Sequence, residues 1–208
     1  MLKLLREDML IYILGNHETL LYDCLLDIAR FGLVQSHHYR NRTWDTLLQI
    51  SGMSDEEAHR DMYSLVREVV NSEFYQLLLP SAINYFETKN YIFTHGWIPC
   101  ANAMGSGDRV IGEYDPDWRN ADSGSWKAAR WYNGMRLACI YKVTEPKKTV
   151  VCGHWHASYG HTYFDYKGSE FGENADFSPF YHSGIIAIDG CTAASGRVNC
   201  IVLEDEEE

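Results

Sequence analysis

The chain has 208 residues and a mass of 23.9 kDa, enough for one sizeable domain or two small ones, since domains commonly run about 100–200 residues. With 46% hydrophobic, 13% aromatic and 23% charged residues, and only 16 Gly and 5 Pro, the composition excludes a disordered, collagen-like or low-complexity protein. Eighteen basic against 29 acidic side chains leave a formal charge of -11, which argues against non-specific nucleic-acid binding and against an anionic membrane partner.

In chain order, residues 2–8 read as the tail of a helix and residues 9–14 as a short buried strand, rich in Ile and Leu and closed by Gly15. The apolar stretch Met9 to Leu14 follows Glu7-Asp8 and lacks a small-residue cleavage site, so it is not a signal peptide. No run reaches the ~18 apolar residues of a membrane span. A soluble, cytoplasmic protein is expected. Residues 18–31 are helical, with Leu20, Leu21, Leu25, Ile28 and Ala29 as an apolar stripe and Gly32 as the C-cap. Residues 33–42 form a polar connection, in which His37-His38 are loop residues without a site.

A helical insertion follows at about 40–88, with helices near 43–50, 54–72 and 73–88, the second opened by Ser54-Asp55-Glu56-Glu57 as a capping box. Strands are predicted at Tyr91–Thr94, Thr149–Cys152, Gly184–Asp189 and Val198–Leu203. Residues 97–123, with Gly105, Gly107, Gly112 and Pro116, read mainly as loop, and 125–136 as another helix. The closing run, residues 204–208, reads as a solvated acidic tail. The six cysteines, at 24, 100, 139, 152, 191 and 200, form no CxxC pair and fit free thiols in a reducing compartment. Cys152 and Cys200 lie in apolar runs and read as buried hydrophobes.

Polar residues gather where the predicted strands end. Gly15-Asn16-His17-Glu18, Thr94-His95-Gly96 and Gly153-His154-Trp155-His156 each follow a β-run, and Ile188-Asp189-Gly190 closes another. Side chains from separate strands converge at one sheet edge in such an arrangement, and nitrogen and oxygen donors gathered there are what a divalent metal requires. An HxH pair alone is a weak signal; with GNHE upstream and a strand-terminal His-Gly between them, the ordered set is strong.

On these segments, together with the stretch from Ile188-Asp189-Gly190-Cys191 to Gly196, the sequence resembles the calcineurin-like metallophosphoesterases, in the branch of Ser/Thr protein phosphatases and symmetrical diadenosine tetraphosphatases. The resemblance leaves 40–88 and 97–147 uncovered. It implies an α/β fold of two packed mixed sheets, a β-sandwich flanked by helices, over a single domain 1–208. It further implies two divalent ions, of Mn, Fe or Zn, that activate water for in-line attack on phosphorus. Asn16, His95 and His154 would bind one ion, His156 the other, and His17 would be the general acid. Substrate class is open among phosphoproteins, dinucleoside polyphosphates and small phosphoesters.

The family's first two motifs, DxH and a GDxxDRG-type segment, precede GNHE, and neither occurs in the 14 residues before Gly15. The missing carboxylates include the ligand bridging both ions, so a stable binuclear centre is not expected. The expectation is a truncated chain or a misplaced start codon, with impaired hydrolysis. A non-catalytic metal-binding or interaction protein keeping the later half of the fold is the alternative. Arg119 and Arg130 are candidates for holding a substrate phosphate, against a plain role as surface charge. His161 either lines the pocket or is structural, His59 and His182 read as surface or packing residues, and Asp189 either faces the site or is a turn residue before Gly190. Trp97, Trp118, Trp126, Trp131 and Trp155 read as core or pocket wall.

Overall fold

The computed structural model describes Leu4, Glu7 and residues 9–205. The expected helix tail at 2–8, apart from Leu4 and Glu7, and the acidic residues 206–208 lie outside the described residues. The chain is a mixed α/β protein in two compact units, residues 1–83 and 84–208. Among the described residues no helix is long and apolar enough to cross a membrane.

The first unit is helical: α1 (Asn16–Phe31), α2 (Ser36–Arg40), α3 (Thr43–Ser51), α4 (Asp55–Arg60) and α5 (Met62–Asn71). The apolar stripe of α1 buries Leu21, Cys24, Leu25 and Ile28 against Trp44 and Leu47 of α3, Ala58 of α4, and Leu65 and Val69 of α5, while Ala29, expected in the stripe, is exposed. Each large side chain so buried contributes about 1.5–3 kcal/mol. Gly32 ends α1 at φ 65°, its N–H donating to the Ile28 carbonyl, as its C-cap role requires. The capping box at Ser54 and Glu57 forms as expected. Asp61 interrupts the long helix expected over 54–72, because its side chain caps α5 by accepting from the Ser64 N–H.

The helix expected over 73–88 stops early. A π-helical turn at Phe74–Leu78 passes into a 3-10 turn at Leu79–Ser81 containing Pro80, whose missing N–H cannot continue a helix. The buried strand expected at 9–14 is a single parallel bridge between Ile13 and Ile83. Leu14 donates to the Ile83 carbonyl and Ile83 to that of Tyr12. With this short partner, Met9 and Ile11 stay exposed.

The second unit is built on a five-stranded sheet in the order β1-β2-β5-β7-β6, with a separate two-stranded ribbon of β3 and β4. The strands are β1 (Tyr85–Glu87), β2 (Tyr91–Thr94), β3 (Cys100–Met104), β4 (Ile111–Tyr114), β5 (Thr149–His156), β6 (Phe180–His182) and β7 (Ile185–Asp189). Strands β2, β5 and β7 run parallel, and the edge strands β1 and β6 are antiparallel to their neighbours. Ile92, Val150, Cys152, Ile185 and Ala187 from the parallel strands join a core with Trp97, Trp118, Trp126 and Phe180.

Four expectations are corrected here. Residues 97–123 hold the β3–β4 ribbon, its bend permitted by positive φ at Asn102, Gly105 and Gly107. The helix expected over 125–136 is two, α6 (Ser123–Ala129) and α7 (Gly134–Cys139), because Asn133 caps the second by accepting from the Arg136 N–H. Residues 198–203 pair with no strand; Val198 and Val202 are exposed, as is Cys200. The tail is not wholly solvated, since Asp205 accepts from the Asn90 backbone and side chain. The remaining helices are α8 (Ala157–Tyr163) and α9 (Thr192–Ser195).

His38, expected in a loop, lies on α2 with its side chain fully buried. Its Nε2 is 3.4 Å from Asp27 Oδ2, and its buried Nδ1 has no hydrogen-bond partner. Burial, reinforced by neighbouring His37, holds the imidazole below its ordinary titration range against the opposing pull of Asp27 and Asp23. The unfolded chain therefore takes up the proton first as pH falls. Urea unfolding followed by circular dichroism is expected to show stability decreasing below about pH 6.5, with a shallower decrease in His38→Gln; identical slopes would contradict it.

Candidate functional site

The parallel strands β2, β5 and β7 deliver their C-terminal ends side by side, the edge at which open α/β sheets bind ligands. His95 follows β2 directly, His154 and His156 end β5, and Asp189 ends β7. The Gly153 N–H donates to the His95 carbonyl at 2.8 Å, tying the two histidine turns together. The His95 and His154 ring centroids are 5.1 Å apart, with the rings tilted by 53°.

The pairing of β5 with β7 sets how His154 is presented. Cys152 pairs with Ala187 and His156 with Asp189, so Gly153, His154 and Trp155 on β5 oppose Ile188 alone. Such a bulge re-aims side chains. His154 takes φ 65°, a left-handed conformation that costs a non-glycine residue of order 1–3 kcal/mol and gathers at functional sites. Trp131 and Trp155 meet the His154 ring edge-on, at 5.6 and 6.1 Å.

His156 is oriented differently. Its Nε2 lies 3.0 Å from Glu170 Oε1, and the Tyr163 hydroxyl donates to Glu170 Oε2 at 3.1 Å. With Nε2 bonded to the carboxylate, Nδ1 is the nitrogen open to a further partner. Asp189 Oδ1 accepts from the Cys191 N–H at 2.7 Å, as expected of a turn residue. Its other oxygen lies beside the Gly153 turn, 4.0 Å from where a Cβ on Gly153 would sit.

Asn16 and His17 begin α1 in the first unit, Asn16 buried and His17 exposed. Glu18 shapes this turn: its carboxylate accepts from the Gly15 N–H at 2.8 Å and the Tyr12 hydroxyl at 2.7 Å, a capping arrangement.

The structure thus brings His95, His154 and His156 to one sheet edge. Two imidazoles sharing a tetrahedral ion at metal–nitrogen distances of about 2.0–2.1 Å place their ring centroids about 5 Å apart, which the His95–His154 spacing matches. Among the described residues, no three His, Cys, Asp or Glu side chains form a ready ligand group. Burial pushes the Cys24 and Cys100 thiols up to about 12 and Cys139 up to about 11, and raises Cys152 as well.

Arg119, a candidate for a substrate phosphate, is held by its own neighbours. Its guanidinium donates to both Glu87 oxygens, lies 3.5 Å from Glu145 and stacks over Trp118. With Lys148 also on Glu87, this network holds the Glu87 carboxyl down to about 2, the Arg119 bonds contributing most. Arg130 donates to Asn84 Oδ1 at 2.6 Å. His161 bridges Asp165 and the Ser178 carbonyl, a structural tie between loops.

Sequence reasoning missed Glu170. It sits 14 residues past His156 in a loop with no periodicity, and no spacing rule points to it. Comparison with protein-family models, curated proteins and solved structures finds no match.

Gly96 lets the His95 turn approach α6. A Cβ there would lie 2.5 Å from the Ala129 carbonyl oxygen and 2.7 Å from that of Arg130. Both are backbone atoms that cannot rotate away. Gly96→Ala is expected to destabilise the protein by about 1–3 kcal/mol, read as a lowered denaturation midpoint at unchanged slope; an unaltered midpoint would show that the turn can shift freely.

Proposed function

We propose that this chain is a metal-dependent phosphoesterase of the calcineurin-like type, with its two-sheet fold, and that the C-terminal edge of the parallel strands carries part of its metal centre. The observation supporting this reading is the His95–His154 pair, rings 5.1 Å apart on turns joined by a backbone hydrogen bond, with His154 in a left-handed conformation. A bound Mn, Fe or Zn ion would supply the positive charge that phosphoryl oxygens require and would acidify water.

The chain's own residues then divide the work. His95 and His154 hold one ion through ring nitrogens. His156 offers Nδ1 to a second, and Glu170 fixes its ring by accepting at Nε2, the carboxylate–histidine arrangement that commonly orients metal ligands. Asn16 as a further ligand, and His17 as proton donor to the leaving oxygen, rest on the sequence resemblance. The substrate classes remain phosphoproteins, dinucleoside polyphosphates and small phosphoesters, with the chain less active than a protein bearing all the family's carboxylates.

Titration calorimetry with Mn²⁺ and Zn²⁺, paired with turnover of p-nitrophenyl phosphate, tests the reading. One ion per chain is expected to bind more tightly, weakened at least about tenfold by His95→Ala or His154→Ala, with a second at His156 held more weakly. Slow, chelator-sensitive turnover is expected to fall about 10²–10⁴-fold in His17→Ala, the usual range for a general acid. Binding without turnover would favour the non-catalytic metal-binding alternative, and chelator-resistant turnover would overturn the metal-dependent reading.

Glu170→Gln keeps the side chain's size and removes its charge. It is expected to weaken binding of the ion at His156 about 10–100-fold, as loss of an orienting partner does, while the ion on His95 and His154 and the thermal stability change little. Unchanged affinity would leave Glu170 without an orienting role.

A further inference from the structure

Beside the histidine turns, the second unit contains a cavity of about 650 Å³, within the 300–1,000 Å³ of small-molecule sites. Its walls carry Trp155, Tyr159, Tyr163, Phe164 and Phe171, together with Arg136. These rings are a connected set. Tyr159 lies 5.9 Å from Trp155, 4.5 Å from Tyr163 and 6.1 Å from Phe164, centroid to centroid.

The cavity is joined to the histidines by sequence and by contact. Trp155 stands between His154 and His156, and the Phe171 ring lies 4.7 Å from that of His156. Glu170, which bonds His156, also lines the cavity. A group seated there would have its attached phosphate close to the imidazoles.

The lining also selects a chemical class. Aromatic walls admit either a flat ring or an organic cation. Arg136, a guanidinium beside the Tyr159 and Tyr141 hydroxyls, places a positive charge in a wall that also holds the carboxylates of Asp108 and Glu170, so the lining carries both signs. Glu170 is held in place by His156 and the Tyr163 hydroxyl, and it offsets part of the Arg136 charge, so the aromatic faces rather than net charge set the preference. A flat ring stacks on the tyrosines and on the guanidinium plane alike. Phe171 and Tyr163 are about half exposed, at 56% and 49%, so apolar faces already stand at the solvent boundary for a ring to cover.

We infer that this cavity binds a flat aromatic group, the ring portion of the molecule whose phosphoester meets the histidine turns. Binding of the ring stands on the cavity alone; its being part of a phosphoester rests on the function proposed above.

Calorimetry on the full chain without added metal separates the two, using phosphate-free probes: adenosine, N-acetyltyrosinamide and, as a non-aromatic control, glycerol. At least one aromatic probe is expected to bind in the sub-millimolar range, with glycerol showing no heat of binding. Adenosine as the tighter ligand would mark a nucleoside-bearing partner, N-acetyltyrosinamide a phenol-bearing one. Phe171→Ala and Tyr163→Ala alter exposed side chains, so the fold is expected to survive, and each is expected to weaken the aromatic probe at least about fivefold, consistent with loss of one stacking surface. Aromatic probes that bind no better than glycerol, or equally well to both variants, would overturn the inference whether or not phosphoester turnover is found.

Discussion

The break in register within β5 is the constraint on which the functional edge depends. From Val150 to Cys152 the strand's side chains are buried, and it pairs with β2 through Val151 and with β7 through Cys152. Beyond Cys152 two extra residues must be absorbed before His156 meets Asp189. The backbone absorbs them between Cys152 and His156, where His154 takes φ 65°. A regular strand would turn alternate side chains to opposite faces and would hold His154 and His156 on one face with Trp155 on the other. The bulge separates their tasks instead: His154 meets His95, His156 meets Glu170, and Trp155 lines the cavity.

The strain of that conformation is supported by its surroundings. The Gly153 N–H bonds the neighbouring turn, Gly96 seats that turn against α6, and Trp131 and Trp155 bracket the His154 ring. Each contact is modest. Together they fix an otherwise disfavoured backbone, and the core beneath supplies the rigidity that fixes them in turn. Ile92, Val150 and Ala187, one on each of the three strands, are fully buried, so a displacement of a strand must disturb close packing.

What the sequence made legible follows from how local each determinant is. The α1 stripe with Gly32 could be read because periodicity and cap lie within one segment, and the apolar runs of β2, β5 and β7 because strands buried on both faces are continuously hydrophobic. Val198–Leu203 carries a similar apolar signal and forms no strand, since pairing is decided by a partner that no single run encodes. Cys200 is exposed for the same reason. The bend at Asn102 and the caps at Asp61 and Asn133 turn on single side chains. The strand-end histidines were visible as residues, yet their division between His95 and Glu170 was not, because Glu170 reaches His156 through a loop whose path depends on tertiary contacts such as the Ser158 hydroxyl donating to the Glu170 carbonyl.

Charge imposes the last condition. The chain carries a formal charge of -11, and several of its cations are already committed to carboxylates: Arg119 and Lys148 to Glu87, Arg42 to Asp45, Arg60 to Glu56. The exposed pairs contribute little to stability, but each lowers the positive field that a phosphate would feel. Arg136 keeps its charge beside tyrosine hydroxyls, and it stands in the aromatic cavity. Under the proposed reading, the phosphate would be neutralised chiefly by an ion on the imidazoles, while the cavity would supply area and shape. Affinity would then come from the ring and reactivity from the metal. Such a division separates binding of the remote group from stabilisation of the charge that develops at phosphorus.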